Sequence, residues 1–310
     1  MTTPASASAL PATERRNPAS ERLDELDTLD LLQTLNDADA EVSVAVRAAL
    51  PALAELVDVA VRALERGGRV HYFGAGTSGR LAVLDAAELI PTFNLPPDVF
   101  VAHLAGGDDA MHRAIEGSED SARDGAAEAA QIGDDDVVVG IAASGTTPYV
   151  RGALDAARAR GAATGLITSN PDIDRRLVDI AVVADTGPEV LTGSTRLKAG
   201  TAAKMTLNAF STAVMVRRGY TWSNLMVSVV ATNRKLRERS VRILAEAAGL
   251  EPGAAQERLR AAEGDLKAAL VSELGGVPLH IARQALADAS GIVRRALDSL
   301  IPTERSASPN

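Results

Sequence analysis

The 310-residue chain is 46% apolar but only 3% aromatic, and it contains no cysteine. Its core must be built from Ala, Leu and Val, and disulfides, thiolate catalysis and cysteine-based zinc sites are excluded. The 32 basic and 41 acidic residues leave a net charge of −9 with no basic stripe, which speaks against nucleic acid as a partner.

Residues 1–12 and 301–310 are rich in Ser, Pro and Ala, as disordered tails are. The start has neither the basic nor the apolar region of a signal peptide. No run approaches the roughly eighteen apolar residues of a membrane span, so a cytoplasmic protein is expected. Residues 13–56 read as N-terminal helices, with Leu29, Leu32 and Leu35 on one stripe and Leu50, Leu53 and Leu56 on another. Gly67-Gly68 ends the last of them.

From 57 to 220 the texture changes. Short apolar runs at 69–73, 98–105, 136–143, 163–168 and 180–185 alternate with helical stretches. Most are apolar throughout, as strands covered on both faces are. This βαβ alternation predicts an α/β domain with a five-stranded, parallel, doubly wound sheet. Residues 221–300 read as a carboxyl-terminal helical module.

Ligands of open α/β sheets bind beyond the carboxyl ends of the strands. Three loops there are rich in hydroxyls: "GAGTSGR" (74–80), "SGTTPY" (144–149) and "TGSTRLKAGT" (192–201). The first matches G-x-G-x-x-G, but the acidic residue that a ribose diol needs at the end of the second strand, some 20 positions on, is poorly matched: that strand ends in Leu104-Ala105-Gly106-Gly107, with Asp108 and Asp109 a little later. Two hydroxyl-rich loops, each leading into a helix, suit a phosphomonoester better. The candidate phosphate ligands are Thr77, Ser78, Ser144, Thr146 and Thr147, with backbone N–H groups at Gly76, Gly79 and Gly145. Ser194 and Lys198 in the third loop are further candidates, and Lys198 equally suits a pairing with Glu189. His71 and His103 lie within strands and read as core residues. No His/Asp/Glu cluster has metal-ligand spacing, so no metal is expected.

The motifs "GAGTSGRLAVLDAAELIPTF", "EGSEDS", "GIAASGTTPYV", "TGSTRLKAGTAAKMTLN" and "NLMVSVVATNRKL" resemble, in order, those of the N-acetylmuramic acid 6-phosphate etherase family. The opening "TERRNPAS" and the terminal module are similar too. The resemblance implies a three-layer αβα sugar isomerase (SIS) sandwich, a cofactor-free homodimer, and release of D-lactate from the phosphorylated amino sugar. "GLEPGAAQERLRAAEGDLKAAL" resembles a UBA-like module.

By the same resemblance, Glu88 in "LDAAELIP" is the proton donor to the departing lactate and Glu119 in "EGSED" the base. From the residues alone, Glu116 serves as well as Glu119. Apolar neighbours of Glu88 would raise its pKa. The family usually has Arg after the Ser-Gly of the second loop; here it is Thr146, which removes a cation near the phosphate. Ser78 and Glu88 stand ten residues apart, about 15 Å along a continuous helix. That is twice the reach of a sugar from its phosphate to C3, so the two are expected to come from different protomers, an early bend in the helix being the alternative. Two rival readings remain: a phosphosugar isomerase, and a non-catalytic sensor like the glucokinase regulatory protein.

Overall fold

A computed structural model describes residues 10–229 and 234–300. Most of both expected tails, and residues 230–233 of the fifth motif, lie outside the described residues. Ala12 is buried and opens a short 3-10 turn, Ala12–Glu14. The chain forms two compact units. One comprises residues up to Ala87 together with Pro97–Ser211; the other comprises Glu88–Pro96 together with the residues from Thr212 on.

The first unit is built on a parallel five-stranded sheet in the order β2-β1-β3-β4-β5. The strands are β1 (Val70–Gly74), β2 (Phe100–Leu104), β3 (Val137–Ile141), β4 (Ala163–Thr168) and β5 (Ile180–Val183). Each falls on one of the five apolar runs. Tyr72 sits opposite Ala102 on one side and Val139 on the other. The central strands β1 and β3 are buried at every position, which is why they carry no polar alternation.

The helices are α1 (Thr28–Ala40), α2 (Val42–Glu65), α3 (Gly76–Phe93), α4 (Ala122–Glu128), α5 (Pro148–Ala159) and α6 (Lys198–Arg217). Leu56 of α2 fills the space over Gly165 on one sheet face. Val150 and Leu154 of α5 fill the space over Gly140 on the other. Helices on both faces make the three-layer αβα sandwich.

Two polar anchors set helix positions. Asp85 of α3 accepts hydrogen bonds from the Tyr72 hydroxyl at 3.0 Å and the Ser211 hydroxyl at 3.0 Å. It thereby ties α3 to β1 and α6, and its burial raises its pKa to about 6. Glu189, fully buried, accepts the N–H groups of Lys198 and Ala199 at 2.9 and 3.0 Å and so caps α6.

On the α4/α5 face a polar chain runs from the exposed Glu128 into the sheet. The Tyr149 hydroxyl donates to Glu128 at 2.7 Å. Glu128 lies 3.3 Å from His103 Nδ1, and His103 Nε2 lies 3.1 Å from His71 Nδ1. Phe73 stacks on the His103 ring at 4.1 Å.

The second unit adds α7 (Arg234–Ala248), α8 (Pro252–Ala261), α9 (Leu266–Gly275), α10 (Leu279–Asp288) and α11 (Val293–Leu300). Leu244, Ala262, Leu270, Val271 and Val293 form its core. Among the described residues no helix is long and apolar enough to cross a membrane.

The end of β1 and the first turn of α3 approach closely. A Cβ on Gly79 would lie 2.5 Å from the Gly74 carbonyl oxygen, and would also strike Leu104. Helix propensity favours Ala over Gly by about 1 kcal/mol, but backbone cannot yield as a side chain does. Gly79→Ala is therefore expected to destabilise the first unit by about 1–3 kcal/mol, read as a lower urea midpoint at unchanged slope.

Burial, reinforced by His103 and Arg69 and opposed by Asp136, pushes the His71 ring down to about 4. An unfolded histidine titrates near 6.5. Between those values the unfolded chain binds the extra proton, so stability falls as pH drops from about 6.5 to about 4. His71→Gln should flatten that dependence in urea unfolding at pH 7 and pH 5.

Candidate active site

The order 2-1-3-4-5 reverses its winding between β1 and β3, and the loops leaving those two strands diverge there to open a crevice. The site lies in that crevice, wholly within the first unit. It is a cleft of about 450 Å³, within the roughly 300–1,000 Å³ usual for small-molecule sites.

From β1 the chain enters α3 at Gly76, and Thr77 and Ser78 of its first turn line the cleft. From β3 come Ser144, Thr146, Thr147 and Pro148. Pro148 is the first residue of α5, a favoured place because its missing N–H is not needed there. The remaining first-turn N–H groups of α5 have no carbonyl of their own helix to bond, which makes this end an anion site.

The second loop is held from below. The Asn170 amide donates to the Ser144 carbonyl at 2.9 Å, and the Thr168 hydroxyl to the Ala143 carbonyl at 3.0 Å. Thr146 directs both its N–H and its hydroxyl at Ser144 Oγ, at 3.2 and 3.0 Å. Gly145 has φ +72°, and a Cβ there would lie 2.5 Å from Ile173.

Glu119 lines the cleft beside Asp120, whereas Glu116 does not. Arg80, two residues past Ser78, organises the approach to Glu119. Its guanidinium donates to the carbonyls of Ala110 and Arg113 at 2.9 and 3.1 Å.

Several site residues expected from sequence stand elsewhere. The N–H groups of Gly79 and Gly145 bond the carbonyls of Ala75 and Ala142, so these glycines shape the loops rather than offer donors. Ser194 does not line the cleft, and the third loop contributes Gly193 and Thr195 instead. Lys198 is buried: its N–H bonds Glu189, and its Nζ lies 3.9 Å from Glu41.

Glu88 is exposed and does not line this cleft. The apolar surroundings expected for it are not built within the chain. Leu89 turns inward while Ala87 and Ile90 are exposed, because successive helical residues point about 100° apart.

Sequence reasoning missed Glu14, Asp120 and Thr195. Thr195 adjoins a chosen hydroxyl, and only the local turn decides which of the two faces inward. Glu14 lies far away along the chain, in the opening "TERRNPAS", and its residue type there does not by itself assign it to the cleft. Among the described residues no lysine or arginine lines the cleft.

Comparison with known proteins agrees with this architecture. The glucokinase regulatory protein N-terminal SIS domain matches residues 52–158. A phosphoheptose isomerase from Francisella tularensis superposes with a TM-score of 0.50 at 20% identity, covering 61% of this chain and 98% of that one, and so shares the fold. The N-acetylmuramic acid 6-phosphate etherase of Thermobifida fusca is 55% identical over 84% of this chain and 86% of its own length. That of Cutibacterium acnes is 50% identical over 93% and 96%. With half or more of the aligned residues identical over most of its length, the chain belongs to the N-acetylmuramic acid 6-phosphate etherase family.

Proposed function

We propose that this protein cleaves the lactyl ether of N-acetylmuramic acid 6-phosphate to N-acetylglucosamine 6-phosphate and D-lactate, in cytoplasmic recycling of cell-wall amino sugar. The observation that carries the reading is the identity to etherases over nearly the whole chain. The hydroxyl-lined cleft at a helix start supports it.

An ether offers no acyl carbon, so elimination is the accessible route. In the ring-opened sugar the C1 aldehyde acidifies the C2 proton. Glu119 takes that proton, the C3–O bond breaks, and Glu88 protonates the departing lactate oxygen. Water then adds at C3 of the unsaturated aldehyde, giving its proton to Glu88, while Glu119 returns a proton to C2. Both carboxyl groups end as they began.

The phosphate sits among Ser144, Thr146 and Thr147, with Thr77 and Ser78 closing the cleft. Because Thr146 replaces the usual arginine, the phosphate is held by neutral donors and a helix start. Such contacts carry charge on the acceptor alone, whereas a guanidinium would add charge on the donor and a bidentate fork.

Glu88 reaches the reaction from a second protomer. Helix α3 is assigned without a break from Gly76 to Phe93, which puts about 15 Å of helical rise between Ser78 and Glu88. Leu29 and Leu32 of α1, Val44 of α2 and Leu84 of α3 stand 63, 57, 67 and 49% exposed. Large apolar side chains left bare in this number suit burial against another copy.

The first test is D-lactate release from N-acetylmuramic acid 6-phosphate. Wild type should give stoichiometric lactate, and Glu88→Gln should lose at least about a hundredfold in kcat. Wild-type binding without lactate would overturn the etherase reading in favour of a sensor. Sharing between protomers is tested by mixing Ser78→Ala and Glu88→Ala subunits. Each mixed dimer then carries one intact site, so random exchange should restore about a quarter of wild-type activity. No recovery would place Glu88 and Ser78 of one chain in the same site.

A further inference from the structure

The residues before α1 form a strap across the third loop of the first unit. The Gly193 N–H donates to the Thr13 carbonyl at 3.3 Å. The Asn17 amide donates to the Pro188 carbonyl at 3.4 Å, and the Ser20 hydroxyl to the Val190 carbonyl at 2.7 Å. Ala12 and Thr13 are buried. The strap is thus pinned on both sides of Glu14, yet Glu14 itself is exposed and lines the cleft with Thr77, Ser78 and Thr195. Its Oε2 lies 3.2 Å from where a Cβ on Gly193 would stand, so any side chain at 193 would crowd the carboxylate.

Glu14 differs from the other carboxylates that the fold places with care. Glu189 caps a helix, and Glu128 bridges Tyr149 and His103. Among the described residues no cation and no hydrogen-bond donor engages the Glu14 side chain. A carboxylate held in place by its backbone, facing a ligand cleft and left with free lone pairs is an acceptor awaiting donors. It cannot be a phosphate ligand, because two anions repel. A sugar supplies the opposite chemistry: hydroxyls, and in an N-acetylated sugar an amide N–H, all neutral donors.

We propose that Glu14 is a specificity-determining residue: its carboxylate accepts hydrogen bonds from the hydroxyl or acetamido N–H groups of the bound sugar. The proposal rests on the phosphosugar reading of the cleft. Glu14 then selects for the sugar, while the Ser144–Thr147 loop selects for the phosphate, and the two selections are separable.

The experiment compares wild type, Glu14→Gln and Glu14→Ala in lactate release, with inorganic phosphate as a competitive inhibitor. Glu14 is exposed, so neither variant removes packed volume. A hydrogen bond to a charged acceptor predicts a KM for Glu14→Ala raised about tenfold or more, with kcat changed less. Glu14→Gln, which keeps one acceptor oxygen, should fall between. The inhibition constant of phosphate should be the same in all three.

Three outcomes would overturn the proposal. An unchanged KM removes Glu14 from the sugar. Equal rises in KM and in the phosphate constant make the strap a mere support of the loops. A loss confined to kcat makes Glu14 a proton-transfer group. If wild type releases no lactate, the etherase reading fails separately. Binding of N-acetylglucosamine 6-phosphate against inorganic phosphate in the same variants then decides the role of Glu14.

Discussion

The first unit depends on one close approach, that of Gly74 at the end of β1 to Gly79 in the first turn of α3. A Cβ on Gly74 would lie 2.6 Å from the Gly79 nitrogen, so neither position admits a side chain. Because the two backbones touch, α3 begins at the sheet edge and its first turn carries Thr77 and Ser78 into the cleft. The last glycine of a dinucleotide-binding turn serves the same close packing of helix on strand. That shared demand is why the sequence matches G-x-G-x-x-G while the residues between the glycines are hydroxyls. The pattern reports a packing constraint, and the ligand is chosen by what fills the gaps.

Around that contact, buried and partly buried polar groups hold the loops still. Asp85 joins α3 to β1 and α6, Asn170 and Thr168 carry the second loop, and Arg80 gathers the carbonyls ahead of Glu119. Each satisfies a group that would be costly to leave unpaired in the interior. Loops fixed in this way present hydroxyls at set positions, and little is spent on ordering them when a ligand arrives.

The cleft is unusual in its charge. Glu14, Glu119 and Asp120 line it, and among the described residues no lysine or arginine does. An anionic ligand must enter with its phosphate toward the hydroxyls and the start of α5, away from the carboxylates. The same asymmetry that weakens phosphate binding orients the sugar.

Much of this was legible in the sequence. The five apolar runs became the five strands, because a strand covered on both faces must be apolar throughout. The hydroxyl loops came to the carboxyl edge, because in a sheet whose strands all run parallel every loop that follows a strand leaves at that edge. What the sequence by itself determined was therefore the order of elements, the sheet and the chemistry of the first two loops, all properties of local pattern.

The tertiary structure alone decided matters that depend on distant segments meeting. It separated Glu119 from Glu116, which have the same local sequence character. It chose Thr195 over Ser194, spent Lys198 in the interior, and left Glu88 outside the cleft. It also brought Glu14 to the third loop across some 180 residues of chain, through one backbone hydrogen bond from Gly193 to Thr13 and two from the Asn17 and Ser20 side chains to backbone carbonyls, none of which periodicity records. Periodicity records which face of an element is buried, and it cannot record what that face, or a strap laid over it, will meet.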